Sequence, residues 1–250
     1  MFISVLFSLG IVAPAFAQQP NSHADIPEKN GDYPDPENPK LRVRVFVHEP
    51  KSQSTLPIIT CTDDDSTAVV GTTGWHLPAT VTYKLNTSSV PASVGAVNFA
   101  TKIAPAAFSA WQDATGGKVT FSQGPTTSVN RNQLDFQNIV SWGRTSSSAL
   151  AVTYTRYYTA TKEVADVDTI FNSKFPWAWT DPTANACSLY ANAYDAQDIL
   201  THETGHWMGL NDTYASAYVN NTMYGYGDKG EVKKDTLTTG DKANLPTIYP

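Results

Sequence analysis

The run Asp195–Asp212 (DAQDILTHETGHWMGLND) constrains this chain more than any other part of it. Asp195 can cap a helix at its start and Gly209 can end one in the left-handed conformation, so the spacing predicts a helix between them. On that helix His202 and His206 stand one turn apart, about 6 Å along the axis and ~40° around it, and both imidazoles can reach one ion. Glu203 lies about 100° further round, beside such an ion without having to bind it. Divalent zinc brings the pKa of its water to about 7, which makes a neighbouring carboxylate a competent base at neutral pH. Two ligands hold zinc poorly. A glycine at 209 turns the chain sharply back and lets Asp212 arrive from a loop as the third, leaving the open position a catalytic site needs. Leu200, Thr204 and Trp207 give the same helix a packing face. The bland alternative is a surface helix with two hydrogen-bonded histidines, and the fixed offsets of Glu203, Gly209 and Asp212 argue against it.

Around this segment the pattern is that of one packed domain. Thr80–Leu85 reads as a strand, and a helix is expected from about Val94 to Ala114, closed by Gly116-Gly117, with Phe99, Ile103, Ala107 and Trp111 forming one buried stripe. Lys118–Ser122, Asp135–Trp142, Ala149–Tyr157 and Val164–Asn172 are rich in Val, Ile, Tyr, Phe and Thr and read as further strands. Helix, strands and helix in that order imply a single sheet covered by helices. A last helix is expected to start near Thr239. No internal repeat or heptad seam is evident.

The N-terminal part differs in kind. Residues 1–17 (MFISVLFSLGIVAPAFA) are apolar and end in the small-x-small pattern that signal peptidase accepts, although no Lys or Arg precedes the apolar run. They are read as a signal peptide, and the protein as secreted. Residues 18–74 are read as a linker or propeptide-like segment, and residues 75–250 as the catalytic domain. Gln18–Lys40 is rich in Pro, Asn, Asp and Glu and cannot fold alone. Leu41–His48 (LRVRVFVH) alternates apolar and basic side chains and reads as a half-exposed strand of a small pro-segment or of the domain edge. The formal charge of −6, from 23 acidic and 17 basic residues with no basic cluster, argues against nucleic acid as a partner. No other stretch is long and apolar enough to span a membrane. Cys61 and Cys187 are the only cysteines; in an exported chain they read first as a disulfide, with a zinc-capping thiolate at Cys61 or two buried thiols as the other readings.

The HExxHxxGxxD run resembles the signature of the metzincin clan of zinc peptidases, and its Asp form resembles the snapalysins. Ala165–Asn172 and Asn221–Tyr226 are similar to the last strand and the Met-turn of matrixins, and Leu237–Asn244 with Ile248-Tyr249 to their C-terminal helix. The resemblance covers roughly Trp75–Pro250. It implies an α+β zincin fold: a twisted five-stranded mixed sheet with an active-site helix and a C-terminal helix. It also implies Met223 as an apolar floor beneath the metal, and Ala149–Tyr157 as the edge strand onto which an extended peptide adds. Read without the family, Met223 is a core methionine. Tyr224 and Tyr226 are placed in the substrate pocket or are ordinary turn aromatics. The Gly143–Ser148 link carries no His or Asp, so the structural zinc and calcium sites of animal matrixins are not expected there. Calcium is compatible with the many Asp and Asn residues, but no spaced acidic loop identifies a site.

The expectation is therefore a secreted, monomeric zinc endopeptidase acting on protein or peptide substrates through one catalytic Zn2+ held by His202, His206 and Asp212, with Glu203 as general base. Glu231, the only Glu after His206, is the rival third ligand. A secreted zinc-containing binding module without hydrolysis is the reading from another class. His23, His48 and His76 fall on the linker, a strand and a loop, where solvated or structural roles are expected.

Overall fold

A computed structural model describes residues 26–51, 64–145, 148–182 and 192–250. Residues 1–17, read above as a signal peptide, and His23, Cys61 and Cys187 lie outside the described residues.

The helical stripe seen in the sequence is the base of the core. Ala96–Asn98 (α1), a π turn over Phe99–Ile103 and Ala104–Ala114 (α2) run on without a break, and Phe99, Ile103, Ala107 and Trp111 are fully buried. Pro105 has no N–H for a carbonyl four residues back, and just before it Ala104 donates to Phe99, the longer bond of a π turn. Gly116 and Gly117, at φ 64° and 79°, end the helix in the left-handed region.

Seven strands make the main path of the sheet: β1 (Gly31–Pro34), β2 (Leu41–Pro50), β3 (Thr80–Leu85), β4 (Thr120–Gln123), β5 (Asn138–Gly143), β6 (Ala151–Tyr158) and β7 (Val164–Asn172). Their order is β1-β2-β6-β7-β5-β3-β4. β4, β3, β5 and β7 are mutually parallel and β6 is antiparallel to β7. Those five form the mixed sheet expected from the sequence, and the α+β class holds. Short strands β8 (Trp177–Ala178) and β9 (Tyr194–Asp195) pair with each other, and β10 (Tyr226–Gly227) pairs with β2. One face of the sheet packs on α2 and on α3 (Ala196–Trp207) through a large aromatic core, in which Trp142 stacks on Phe171 with ring centroids 4.5 Å apart. On the other face Val43, Val45, Val47, Val152, Tyr154 and Ile170 form a second apolar cluster.

Three expectations need correction. β6 is not an open edge, because β2 pairs along its whole length. Within Leu41–His48 only the first four residues alternate between buried and half-exposed; Val45–His48 are all buried, with Phe46 in the core on one face and Val45 and Val47 in the apolar cluster on the other. The C-terminal helix is two single turns, α4 (Thr239–Lys242) and α5 (Leu245–Ile248). Pro246 lacks the N–H that a continuous helix would require at that point. No helix among the described residues is long and apolar enough to cross a membrane.

Candidate active site

Helix α3 positions the site, and all twelve of its residues are buried. Its start is fixed by the Asp195 side chain, which accepts from Gln197 N at 2.8 Å and Asp198 N at 3.1 Å. At its end Gly209 N donates to His206 O and Leu210 N to Gly205 O, the paired bonds of a Schellman turn. Gly209 is required twice over: its φ is +91°, and a Cβ there would lie 2.7 Å from the Trp75 carbonyl oxygen.

That turn returns the chain so that Asp212 Oδ1 stands 3.2 Å from His202 Nε2 and 3.3 Å from His206 Nε2. Each histidine is oriented from behind: His202 Nδ1 bonds the Thr222 carbonyl at 2.7 Å and His206 Nδ1 the Leu210 carbonyl at 3.0 Å. A carbonyl only accepts, so Nδ1 carries the proton in each ring and both Nε2 lone pairs point inward. Those two nitrogens and Asp212 Oδ1 are buried without a hydrogen-bond partner. Two ligands ~2.1 Å from one tetrahedral ion stand about 3.4 Å apart, so the three atoms fit zinc. His202, His206 and Asp212 together could hold one metal ion. Burial works against the charge on Asp212, but the facing imidazoles outweigh it and hold its carboxyl well below the usual range. Burial likewise opposes protonation of His206, and the Asp212 charge overrides that, leaving its pKa raised. The same local field favours a cation.

Glu203 is fully buried beside this group. Its Oε2 accepts from Thr153 Oγ1 at 2.6 Å; Thr153 is 2.7 Å from Thr169 Oγ1, which accepts from Trp207 Nε1 at 2.9 Å. Because Thr153 must donate to the carboxylate, Thr169 donates to Thr153, and the chain of hydroxyls has one direction. Oε1 is left without a hydrogen-bond partner. Burial raises the Glu203 pKa, against the pull of the nearby histidines and of Thr153.

Against α3 Met223 is fully buried, and a Cβ on Gly205 would meet its Sδ at 2.2 Å, so the helix backbone rests directly on the sulfur. The turn around it is pinned by Asp241. Its Oδ2 accepts from Thr222 N, Thr238 N and Thr238 Oγ1, and its Oδ1 from Met223 N and Asn221 Nδ2. Thr222 thus binds Asp241 through its N–H and His202 through its carbonyl. Tyr224 and Tyr226 are half-buried with ring centroids 5.7 Å apart, and Tyr214 packs against Tyr226 at 5.1 Å. The rival ligand Glu231 is elsewhere, ion-paired with Lys233 at 3.1 Å and Lys234 at 3.3 Å.

Several residues of the site carry no mark in the sequence. Thr153 and Thr169 look like ordinary strand threonines. Tyr214 lies in a loop beside Asp212, where burial and that carboxylate raise its hydroxyl pKa. His48, expected to be structural or solvated, is 1% exposed, with its Nδ1 3.3 Å from Glu203 Oε1. Phe46 stacks on the His206 ring at 3.8 Å, 5° from parallel. The alternation of Leu41–His48 is the one signal that could have placed these two side chains, since it marks a strand in need of a partner.

A family model described as matrixin matches residues 74–250, the stretch from just before β3 to the end of α5. A comparison with curated protein sequences returns no match.

Proposed function

This chain belongs to the matrixin family of zinc-dependent metallopeptidases, and from that premise we propose that it is a secreted zinc endopeptidase in which His202, His206 and Asp212 hold the ion and Glu203 is the general base. The observation that carries the proposal is the convergence of three partnerless, buried ligand atoms at 3.2 and 3.3 Å spacing next to a carboxylate that binds none of them. Zinc held there supplies Lewis acidity, polarising a carbonyl and acidifying water. Glu203 then has two separate oxygens for two tasks. Thr153 holds Oε2 and so fixes the plane of the carboxylate, while Oε1 is free to take a proton from water and hand it to the departing amine. Met223 and Asp241 act further back: they hold the turn that orients His202. β2 occupies the backbone of β6 and β10 in this structure, so an extended protein or peptide substrate pairs with them only where β2 gives way. Export is supported by the apolar leader and its small-x-small end.

The test is metal content together with hydrolysis of a denatured protein, measured on the full chain and on its His48→Ala variant. About one zinc per chain, lost in His206→Ala, is expected. Cleavage should be blocked by a chelator and abolished in Glu203→Gln, which keeps its zinc. A protein that binds no zinc at all overturns the assignment of His202, His206 and Asp212.

A further inference from the structure

Strand β2 runs where a substrate would run. It pairs antiparallel with β6 from Leu41 opposite Tyr158 to His48 opposite Ala151. Its far end pairs parallel with β10, Glu49 opposite Tyr226 and Pro50 opposite Gly227, and Lys51 N donates to Gly227 O at 2.8 Å. An extended segment held between two strands of the site is the geometry of peptide recognition by strand addition.

Its side chains fill the reactive end of the cleft. Phe46 covers the His206 ring, and the His48 ring lies 4.0 Å from that of His202. Neither ring nitrogen of His48 has a hydrogen-bond partner, although the residue is buried. Leaving such a group unpaired is costly, so its placement calls for a reason. Its Nδ1 stands 3.3 Å from Oε1 of Glu203, the oxygen assigned above to the reacting water. His48, His202 and Glu203 form a second group able to hold a metal, so His48 also borders the ion's surroundings.

The hairpin is fastened away from the cleft as well. Asp35 Oδ2, buried just before β2, is 3.0 Å from Nε of the buried Arg156, whose Nη1 also meets Asp166 at 2.7 Å and Asp168 at 3.4 Å. Asn30, just before β1, accepts from Val47 N at 2.7 Å within the segment and donates through Nδ2 to Tyr214 OH at 3.3 Å outside it.

We propose that the β1–β2 hairpin is a built-in occupant of the peptide-binding edge, with His48 standing in the place of the reacting water beside Glu203, and that the full chain is latent until the hairpin is displaced. The proposal rests on the reading of this site as a zinc peptidase. It also explains why β2 survives in its own cleft: the side chain that would be nearest the attack excludes the water that attack requires.

The test compares three zinc-loaded full-length proteins: the wild type, His48→Ala, which empties the water position, and Asp35→Asn, which loosens the clasp far from the cleft. Each is assayed for hydrolysis of a quenched fluorescent peptide, for binding of a peptidyl hydroxamate by calorimetry, and for bound zinc. Both variants should gain about 10- to 100-fold in kcat/KM and in hydroxamate affinity: Asp35→Asn weakens the charged hydrogen bond to Arg156 that favours the closed state, and His48→Ala removes the ring packed on His202 beside Glu203 Oε1. Zinc should stay at about one per chain in all three. If both variants are folded and zinc-loaded but no faster and no tighter in binding than the wild type, the latency proposal is overturned. Should one variant fail to fold, the other decides by the same criterion. Absence of zinc or of hydrolysis in all three proteins overturns the peptidase reading itself, a different result from an equally active set.

Discussion

Asp241→Asn isolates the support of the metal group from its chemistry. The carboxylate accepts three hydrogen bonds on Oδ2 and two on Oδ1, all from the Met-turn and the start of α4. An amide has one accepting oxygen. Its best orientation keeps the Oδ2 side and turns NH2 toward Met223 N and Asn221 Nδ2, where donor faces donor. Asn221 retains bonds to Ala68 O at 3.0 Å and Thr238 Oγ1 at 3.1 Å, so the groups stranded are the Met223 N–H and the new amide. At about 1–3 kcal/mol for each buried unsatisfied group, the loss is about 4 kcal/mol. For a domain of this size that corresponds to a fall in Tm of about 8–16 °C. The stranded Met223 N–H belongs to the same peptide unit as the Thr222 carbonyl that holds His202 Nδ1, so the histidine loses its orientation too, and zinc affinity should fall about 10- to 100-fold. Thermal unfolding with and without zinc, and zinc competition against a chelating dye, measure the two effects separately. A Tm within about 2 °C of wild type with zinc affinity unchanged would refute the view that Asp241 carries the turn.

Other outcomes follow from the same geometry. Thr153→Val removes the donor to Glu203 Oε2 while keeping shape, and should lower kcat/KM about 10- to 100-fold in an opened, active variant, with zinc affinity unchanged; equal rates would show that the carboxylate needs no anchor. Gly209→Ala forces a side chain into a φ of +91° and toward the Trp75 carbonyl, so it should cost more than about 2 kcal/mol in denaturant unfolding and release the metal; a variant as stable as wild type contradicts the turn described here. Chelation should destabilise the wild type by about 4 kcal/mol when compared with zinc at a thousandfold excess over its Kd, read as a Tm that depends on zinc concentration; a Tm indifferent to zinc argues that the ion does not bind the folded state.

What the sequence makes legible here is whatever is written in consecutive residues. Asp195, the histidine pair, Gly209 and Asp212 all belong to one helix and the turn that follows it, so cap, spacing and return can be read directly, and the structure places them together as the spacing predicts. Strands Thr80–Leu85 and Val164–Asn172 have the bounds the sequence predicts because composition and flanking polar links agree. The contribution of His48 is of another kind. It depends on the pairing register of β2 with β6, and a shift of one residue would turn the imidazole to the opposite face of the sheet. Local patterning does not encode that register. Thr153 and Thr169 are hidden for a related reason: on adjacent strands a hydroxyl pair is indistinguishable in sequence from β-branched strand formers until the register brings the two to 2.7 Å. The break between α4 and α5 falls at Pro246, a residue that the similarity of Leu237–Asn244 and Ile248-Tyr249 to a longer helix does not include.

The covering of β6 also bears on self-association. Seven of the eight residues of β6 are buried in the full chain, and its backbone is satisfied along one side by β2. Were the hairpin withdrawn, an eight-residue row of N–H and C=O groups would face water beside an apolar surface, an edge that any extended chain can complete, including one from a second molecule. An opened enzyme would then meet its substrate and its own aggregate through the same hydrogen bonds, and its working lifetime would shorten as its concentration rose. The hairpin serves as a chaperone for that edge as much as a brake on the chemistry.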